Sequence, residues 1–533
     1  MKIVHSYWSK PTRESKDDSE EKVFGGWRSK KFMYMSWAFS CLQARKSHGD
    51  IMLVTDKSGV DLLINKLKLP YTSVKEELDI YNTYDKRFWA VGKLHAYKIQ
   101  EKPFIHIDND VFIGDRFPDR LVNAGLVGQH LEYDIGQYQV GFVDMLQKKC
   151  SIPEVLLEDQ RIHGRIKAIN AGIFGGNNLS FIKNYVEKAF NFINDNLDRF
   201  GTSVAGSSHA IIYEQYLFSA LARSENIPVS YYYNDEEAEA IDISDFYNMY
   251  TSKKYVHFIG NAKFFWECCR NLEHHLVQEY PDMFEHINNL ISKEAPESSV
   301  RRNKFQHFRR TTEFLKFALD DSFEGVTGFS FNDTKKLEKW LDLKANRNSL
   351  RKVLSDQQCR MLEEIYSIEQ EKLRIKDRES DLKLIFDQEI AWNVERDRIL
   401  NLNFEAITKL RFMVNPYMEV YESYWEWIVR ESEFREFVLE EVIAEEASEF
   451  YFGFERCGTY DAVTDSNIFE FPLTEFQYII MRLFEETSDT GEVLASFYAM
   501  FEVTTELEDK ELKDKVEKIL KQLIYRRCIV LDR

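Results

Sequence analysis

Phe104-Ile105-His106-Ile107-Asp108-Asn109-Asp110-Val111-Phe112-Ile113 joins a β-branched and aromatic run to two carboxylates one residue apart. Such an apolar run reads as a strand buried in a parallel sheet. A buried, unpaired carboxylate costs several kcal/mol or is driven neutral. Asp108 and Asp110 are therefore expected at the carboxyl end of the strand, in the crevice where open α/β sheets bind ligands. Two hard oxygen donors on one side of a turn suit Mg²⁺ or Mn²⁺ carrying a diphosphate. The bland alternative is an Asx-rich turn, because Asp-x-Asp alone is a common chance pattern.

Two further stretches bear on the same site. Asn170-Ala171-Gly172-Ile173-Phe174-Gly175-Gly176 carries three glycines and an asparagine, the composition of a loop whose backbone approaches something closely. Asn170 is a candidate for a sugar hydroxyl, with Gly172, Gly175 and Gly176 letting backbone approach it. Tyr255-Val256-His257-Phe258-Ile259-Gly260-Asn261-Ala262-Lys263 reads as a short strand delivering a histidine, a glycine and a lysine at three-residue intervals. Histidine can complete a carboxylate metal site and lysine can neutralise phosphate.

In order and spacing these stretches resemble the GT-A glycosyltransferases, distantly those of the glycogenin and bacterial galactosyltransferase group. That retaining group carries Asp-x-Asp, an Asn-x-Gly loop and His-x-x-Gly-x-x-Lys. The resemblance covers about the first 290 residues. It implies Asp108, Asp110 and His257 as metal ligands, with Gly260 and Lys263 at the diphosphate of a nucleotide-sugar donor, UDP-linked by expectation. It also suggests a donor contact for Lys93, for which a surface lysine is the equal alternative. Asn109, between the acids, joins the donor-binding set. The match departs from the family pattern after Lys263, where Phe264-Phe265 stand and the usual Pro-Trp is absent.

The chain around these motifs alternates in βαβ fashion. Lys2–Tyr7, Ile51–Thr55, Tyr71–Val74 and Phe104–Ile113 read as strands, with helices over Lys31–Arg45, Val60–Leu67 and Phe88–Gln100. This predicts a Rossmann-like, mostly parallel sheet covered on both faces. Leu126–Gln129 adds a further strand, and Leu179–Phe200 and Ala210–Ala222 read as helices. Tyr7 and Trp8, at the end of the first strand, are either a stacking platform for a nucleotide base or core aromatics. His106 shares a sheet face with Asp108 by period two and reads as a hydrogen-bonded core histidine. Glu214 and Gln215 are the reaction-centre candidates. Glu214 has the chemistry of nucleophile, stabiliser or base, whereas Gln215 can only stabilise. A helix-surface pair is the alternative for both.

At 533 residues the chain is too long for one ordinary core. Three parts are expected: a GT-A domain over 1–295, a helical linker or hairpin region over 296–405, and an acidic helical domain over 406–533. Pro296-Glu297-Ser298-Ser299 reads as a linker, followed by the basic Arg301-Arg302-Asn303-Lys304. Leu337–Leu402 reads as a long helical hairpin, with Leu350, Leu354, Met361 and Ile365 at helical spacing. Thr474-Glu475-Phe476-Gln477 resembles a capping box opening a helix to Phe484. Helices through Phe501 and over Lys510–Ile524, then a strand over Cys528–Leu531, complete a trihelical or winged-helix-like unit. That unit also resembles, by apolar spacing, peptide-clamping domains of enzymes that modify ribosomally made peptides.

Net charge is −19. Residues 1–295 hold 35 basic and 40 acidic side chains, and the remainder 35 and 49, so the acidity lies mainly in the second half, densest over Glu431–Asp509. That opposes nucleic-acid binding, which needs basic surface to replace counterions. The acidic stretch is either a solvated helix face or a surface for a basic partner. No run reaches the roughly 18 apolar residues of a membrane span. Seven cysteines without metal spacing, and an N-terminus entering a strand directly, predict reduced thiols and a cytoplasmic location.

The expected function is metal-dependent sugar transfer from a nucleotide diphosphate to an acceptor, a peptide or protein among the candidates, with the C-terminal half docking acceptor or partner. The alternatives are a non-catalytic scaffold with a transferase-like domain and a nucleotidyltransferase making nucleotide sugars. Against the latter, Ser6-Tyr7-Trp8-Ser9-Lys10-Pro11 stands where a glycine-rich loop is needed.

Overall fold

A computed structural model of the chain describes residues 1–12, 24–133, 136–200, 206–234, 243–294, 309–319, 325, 328, 336, 339–341, 343–378, 381–427, 447–458, 468–502 and 505–532. The expected linker and basic segment at 296–304, and much of the acidic stretch from Glu431, lie outside these residues. The chain divides into two compact units, Met1–Val300 and Arg301–Arg533.

The first unit is built on a seven-stranded sheet. Its strands are β1 (Lys2–Tyr7), β2 (Ile51–Thr55), β3 (Ser73–Glu76), β4 (Phe104–Ile107), β6 (Leu126–Gly128), β9 (Ile173–Gly176) and β10 (Val229–Tyr231), in the order β10-β6-β9-β4-β1-β2-β3. β7 (Leu131–Tyr133) and β8 (Lys167–Ile169) form a separate antiparallel pair. The run β4-β1-β2-β3 is parallel, as the βαβ alternation predicts. β9 then enters antiparallel to both β4 and β6, so the sheet is mixed rather than uniformly parallel.

Gly175 and Gly176 explain how β9 fits. Their φ values are +151° and +130°, and a Cβ on either would meet the neighbouring strand at 2.2 Å (Phe104 O) or 2.1 Å (Gly125 O). These two glycines admit strands rather than a ligand, and the expected loop is a strand from Ile173 onward. Around the sheet, Tyr97 stacks on Phe174 at 4.1 Å and Phe218 packs edge-on against the same ring.

The expected strand over Phe104–Ile113 is two strands. β4 stops at Ile107, and β5 (Val111–Ile113) leaves the main sheet to pair antiparallel with β11 (Tyr255–His257). Asp108-Asn109-Asp110 is the turn between them, closed by the Val111 N–H donating to Asp108 O at 3.1 Å. The aspartates break the run because neither can sit in the apolar sheet unpaired. Expected helices appear at Lys30–His48, Val60–Lys66 and Val91–Lys98. A further helical stretch runs from Gly206 to Ser224 with a π-type segment, Ile212–Tyr216, in its middle.

In the second unit, described by itself, the helices Asp356–Arg378 and Leu382–Leu400 occur as the periodicity indicates, but they serve different cores. The first packs on the helix Arg309–Leu319 and on a three-stranded antiparallel sheet, β13 (Met418–Ser423), β14 (Phe450–Arg456) and β15 (Ile468–Leu473). Leu350, Leu354, Met361 and Ile365 are buried there with Trp427 and Phe452. The second packs on Glu506–Tyr525 and on β16 (Ile529–Leu531), which pairs with β12 (Phe412–Val414).

The trihelical unit is present as Glu475–Glu486, Thr490–Tyr498 and Glu506–Tyr525, and Thr474 makes the expected capping box with Gln477. The sheet preceding it is absent from the sequence reading. Among the described residues no helix is long and apolar enough to cross a membrane. All seven cysteines are free thiols.

Candidate metal centre

The turn after β4 is held from several sides. Ser36 and Ser40, on the Lys30–His48 helix, donate hydroxyls to Asn109 O and Val111 O, each at 2.7 Å. The Asp108 N–H donates to Gly172 O at 3.2 Å, and Asp110 O accepts the Phe258 N–H at 3.1 Å. The turn is thus tied to β9's leading edge and to the end of β11. β11, paired antiparallel with β5, therefore brings His257 beside the aspartates.

Asp108, Asp110 and His257 each offer one ligand atom within 4.8 Å of the others. His257 Nε2 stands 3.6 Å from Asp110 Oδ1. Asp110 and His257 are buried, Asp108 partly so. Two carboxylates and an imidazole gathered at this separation are the donor set of a hard or borderline dication, and the residues fit one.

Each carboxylate also has a lysine. Lys263 Nζ lies 2.6 Å from Asp110 Oδ2, and Lys93 Nζ lies 2.9 Å from Asp108 and 2.8 Å from Glu214 Oε1. Burial alone would raise the Asp110 carboxyl, but the Lys263 charge, with the His257 ring beside it, holds it well below the usual range. Burial would likewise depress the Lys93 ammonium, yet Asp108 and Glu214 drive it above its ordinary value. Lys93 is therefore no surface lysine: it lies mostly buried between two acids, with the Trp89 ring 5.3 Å from its ammonium.

The remaining candidates divide. Glu214 is fully buried in the π-type segment; burial and nearby Asp108 raise its carboxyl while Lys93 opposes them. It is placed behind Lys93 as an anchor rather than at an open surface. Gln215, beside it, accepts the Ala171 N–H through Oε1 at 3.1 Å.

Asn170 is likewise committed to protein. Its Nδ2 donates to Glu132 Oε1 at 2.7 Å, and its Oδ1 accepts the Gly172 N–H at 2.9 Å. Glu132 accepts the Tyr138 hydroxyl as well, at 2.6 Å. Tyr7 and Trp8 are core aromatics: Tyr7 packs on Trp37 at 5.1 Å and bonds Thr12, while Trp8 Nε1 donates to Asn82. His106 is buried, as expected, with Nε2 2.9 Å from Ser6 Oγ. Asn109 is partly buried in the turn. Gly260 has φ +57° and open space where a Cβ would lie, so its backbone remains approachable.

Gln129 escaped the sequence reading. Its side chain is fully buried, and its Oε1 lies 2.7 Å from His257 Nδ1 and 2.5 Å from the Tyr255 hydroxyl. A Cβ at Gly172 would stand 2.3 Å from Gln129 Oε1 and 2.5 Å from His257 Cε1 and Nδ1. Gly172 is needed because the amide and the imidazole fill the space over its Cα. The one signal available was a glutamine ending the apolar run Leu126–Gly128.

Residues 1–290 match the model of DUF6734, a family of unknown function. The chain belongs to DUF6734. The match spans the first unit's sheet and every member of the site. No curated protein matches the sequence. A solved structure, the glycosyltransferase GlyE of Streptococcus pneumoniae, is similar over 59% of this chain and 73% of that chain, at 11% identity and a TM-score of 0.27. A score that low carries neither fold nor function to this family member.

Proposed function

We propose that the first unit is a GT-A-type glycosyltransferase that moves a sugar from a nucleotide-diphosphate donor to an acceptor with Mn²⁺ or Mg²⁺. The observation that carries the reading is the convergence of Asp108, Asp110 and His257 at the end of the parallel strands, with Lys263 beside them. These are the motif positions that resemble the retaining group described above.

Asp108, Asp110 and His257 would hold the cation. When bound, the cation neutralises the donor diphosphate and stabilises it as a leaving group. Lys263 supplies a second positive charge at that diphosphate, and the open backbone at Gly260 lets phosphate oxygens approach. Glu214 holds Lys93 against Asp108 and sets the position of that carboxylate. Gln215, anchored to Ala171, is the polar group assigned to the sugar side. Asn170 fixes the Gly172 turn through its two hydrogen bonds.

The test is calorimetry of the full chain with Mn²⁺ and a panel of nucleoside diphosphates, UDP first. Binding that requires the metal, and that Asp110→Asn removes in a folded protein, is the expected result. Metal-independent binding, or unchanged binding in folded Asp110→Asn, overturns the reading.

A further inference from the structure

The Gln129 side chain is fully buried, yet it meets His257 on the ring nitrogen opposite Asp110. Three neighbours meet the two ends of its amide. Gln129 Nε2 lies 3.2 Å from His130 Nδ1, where it can donate, while Oε1 faces the Tyr255 hydroxyl at 2.5 Å and His257 Nδ1 at 2.7 Å. An amide oxygen only accepts. With Oε1 on this side, His257 carries its proton on Nδ1.

The consequence falls on the other nitrogen. With the single proton on Nδ1, the neutral form of the ring presents its Nε2 lone pair toward Asp110 Oδ1, 3.6 Å away. A lone pair facing a carboxylate repels it unless a positive centre sits between them. A cation bound there satisfies both, and hydrogen bonding at the far nitrogen makes the ring a better ligand. Gly172 supplies the room that the amide and the ring share, since a Cβ there would stand 2.3 Å from Gln129 Oε1 and 2.5 Å from His257 Nδ1.

We propose that Gln129 is a positioning residue of the metal centre, fixing the tautomer and ring plane of His257 so that Nε2 is the ligand atom. Tyr255 is the second clamp on the same amide oxygen, and Gly172 provides the space for both. The proposal rests on the metal-centre reading above and adds to it a residue that never touches the cation.

The test measures Mn²⁺ affinity of the full chain by electron paramagnetic resonance of the free ion, without nucleotide or turnover. Gln129→Met keeps the volume and removes the acceptor, and is expected to weaken Mn²⁺ binding roughly 10- to 100-fold. In a His257→Ala background the same change should have no further effect, because Gln129 acts only through that ring. Gln129→Glu retains an acceptor at the same point and should bind Mn²⁺ within threefold of wild type or more tightly.

Unchanged affinity in Gln129→Met, or an equal loss with and without His257, overturns the positioning role while leaving the metal centre standing. No Mn²⁺ binding by the wild type overturns both. Should Gln129→Met fail to fold, Gln129→Glu decides alone: a weakening beyond threefold overturns the proposal.

Discussion

Gly172 shows how a single hydrogen atom in place of a methyl group governs the site. Alanine there would drive its Cβ into Gln129 and the His257 ring, both of which are confined by Tyr255 and the turn. Overpacking of this kind costs about 1–3 kcal/mol. Gly172→Ala is therefore expected to stay folded with a lower melting temperature and to lose Mn²⁺ affinity by roughly tenfold or more, as histidine ligands displaced from their partners do. A variant that melts lower yet binds Mn²⁺ like wild type would show that the ring is free to shift.

His5 offers a residue-scale test of the fold itself. It is buried between Tyr71 and Ser40, and burial lowers its pKa to about 3. The unfolded chain takes up a proton near pH 6.5 while the native ring stays neutral. Its contribution is thus complete above pH 6.5 and lost as pH falls toward 3, at about 1.4 kcal/mol per pH unit. Stability of wild type minus that of His5→Gln, followed by denaturant melts from pH 7 to pH 4, should decline along that slope. A flat difference would mean that the ring is protonated in the native state.

The three residues of the candidate metal centre were legible because chemistry forces acids and histidine to the ends of apolar runs. Gln129 and the two serines were not, since their role arises from strands and a helix distant in the chain. The roles expected for Asn170 and Lys93 overlooked partners far away in sequence: Glu132 for the first, Glu214 for the second.

At the scale of elements, the capping boxes are the clearest link from sequence to structure. Thr474 accepts the Gln477 N–H, Gln477 returns a bond to the Thr474 N–H, and Thr505 with Glu508 repeats the pattern. Replacing an N-cap threonine by alanine costs about 1 kcal/mol. Thr474→Ala should lower the second unit's stability by that amount, and a urea melt of the tryptophan signal will read it. No change would assign the helix start to tertiary packing alone.

Helices and the first strands were legible because their periods repeat over many residues. The strands β13, β14 and β15 were not. β14 places Gly453 in a strand to make room for the Phe471 ring, and β15 contains Pro472, both of which read as breakers in sequence. Glu470 sits in the same strand, where its charge is answered by Arg310 and Lys372 from two helices. Burial would raise that carboxyl, but the two cations hold it far below its ordinary value. Such a pairing is invisible to a local pattern. The antiparallel entry of β9 escaped for a similar reason: it depends on two glycines whose positive φ only the neighbouring strands explain.

For the whole molecule, charge and chemistry divide along the chain. The candidate metal ligands and their lysines all belong to the first unit, whereas the second half carries most of the net charge of −19. Each unit has its own buried apolar clusters. On the proposed function, donor chemistry belongs to the first unit and the second directs the acceptor, its acidity suiting a basic partner better than a nucleotide. A fragment of residues 1–300 should then keep Mn²⁺-dependent donor binding and slow hydrolysis of donor to water, and lose transfer to the acceptor. An exposed apolar patch can make such a fragment aggregate, so circular dichroism and a cooperative melt must precede the activity comparison. A folded fragment that transfers sugar to the acceptor as fast as the full chain excludes the acceptor-directing role. The complementary fragment, residues 301–533, should bind a basic peptide with an affinity that falls as salt rises from 50 to about 500 mM, because screening shortens the reach of its carboxylates. Affinity indifferent to salt would assign that acidity to solvation of the second unit's surface.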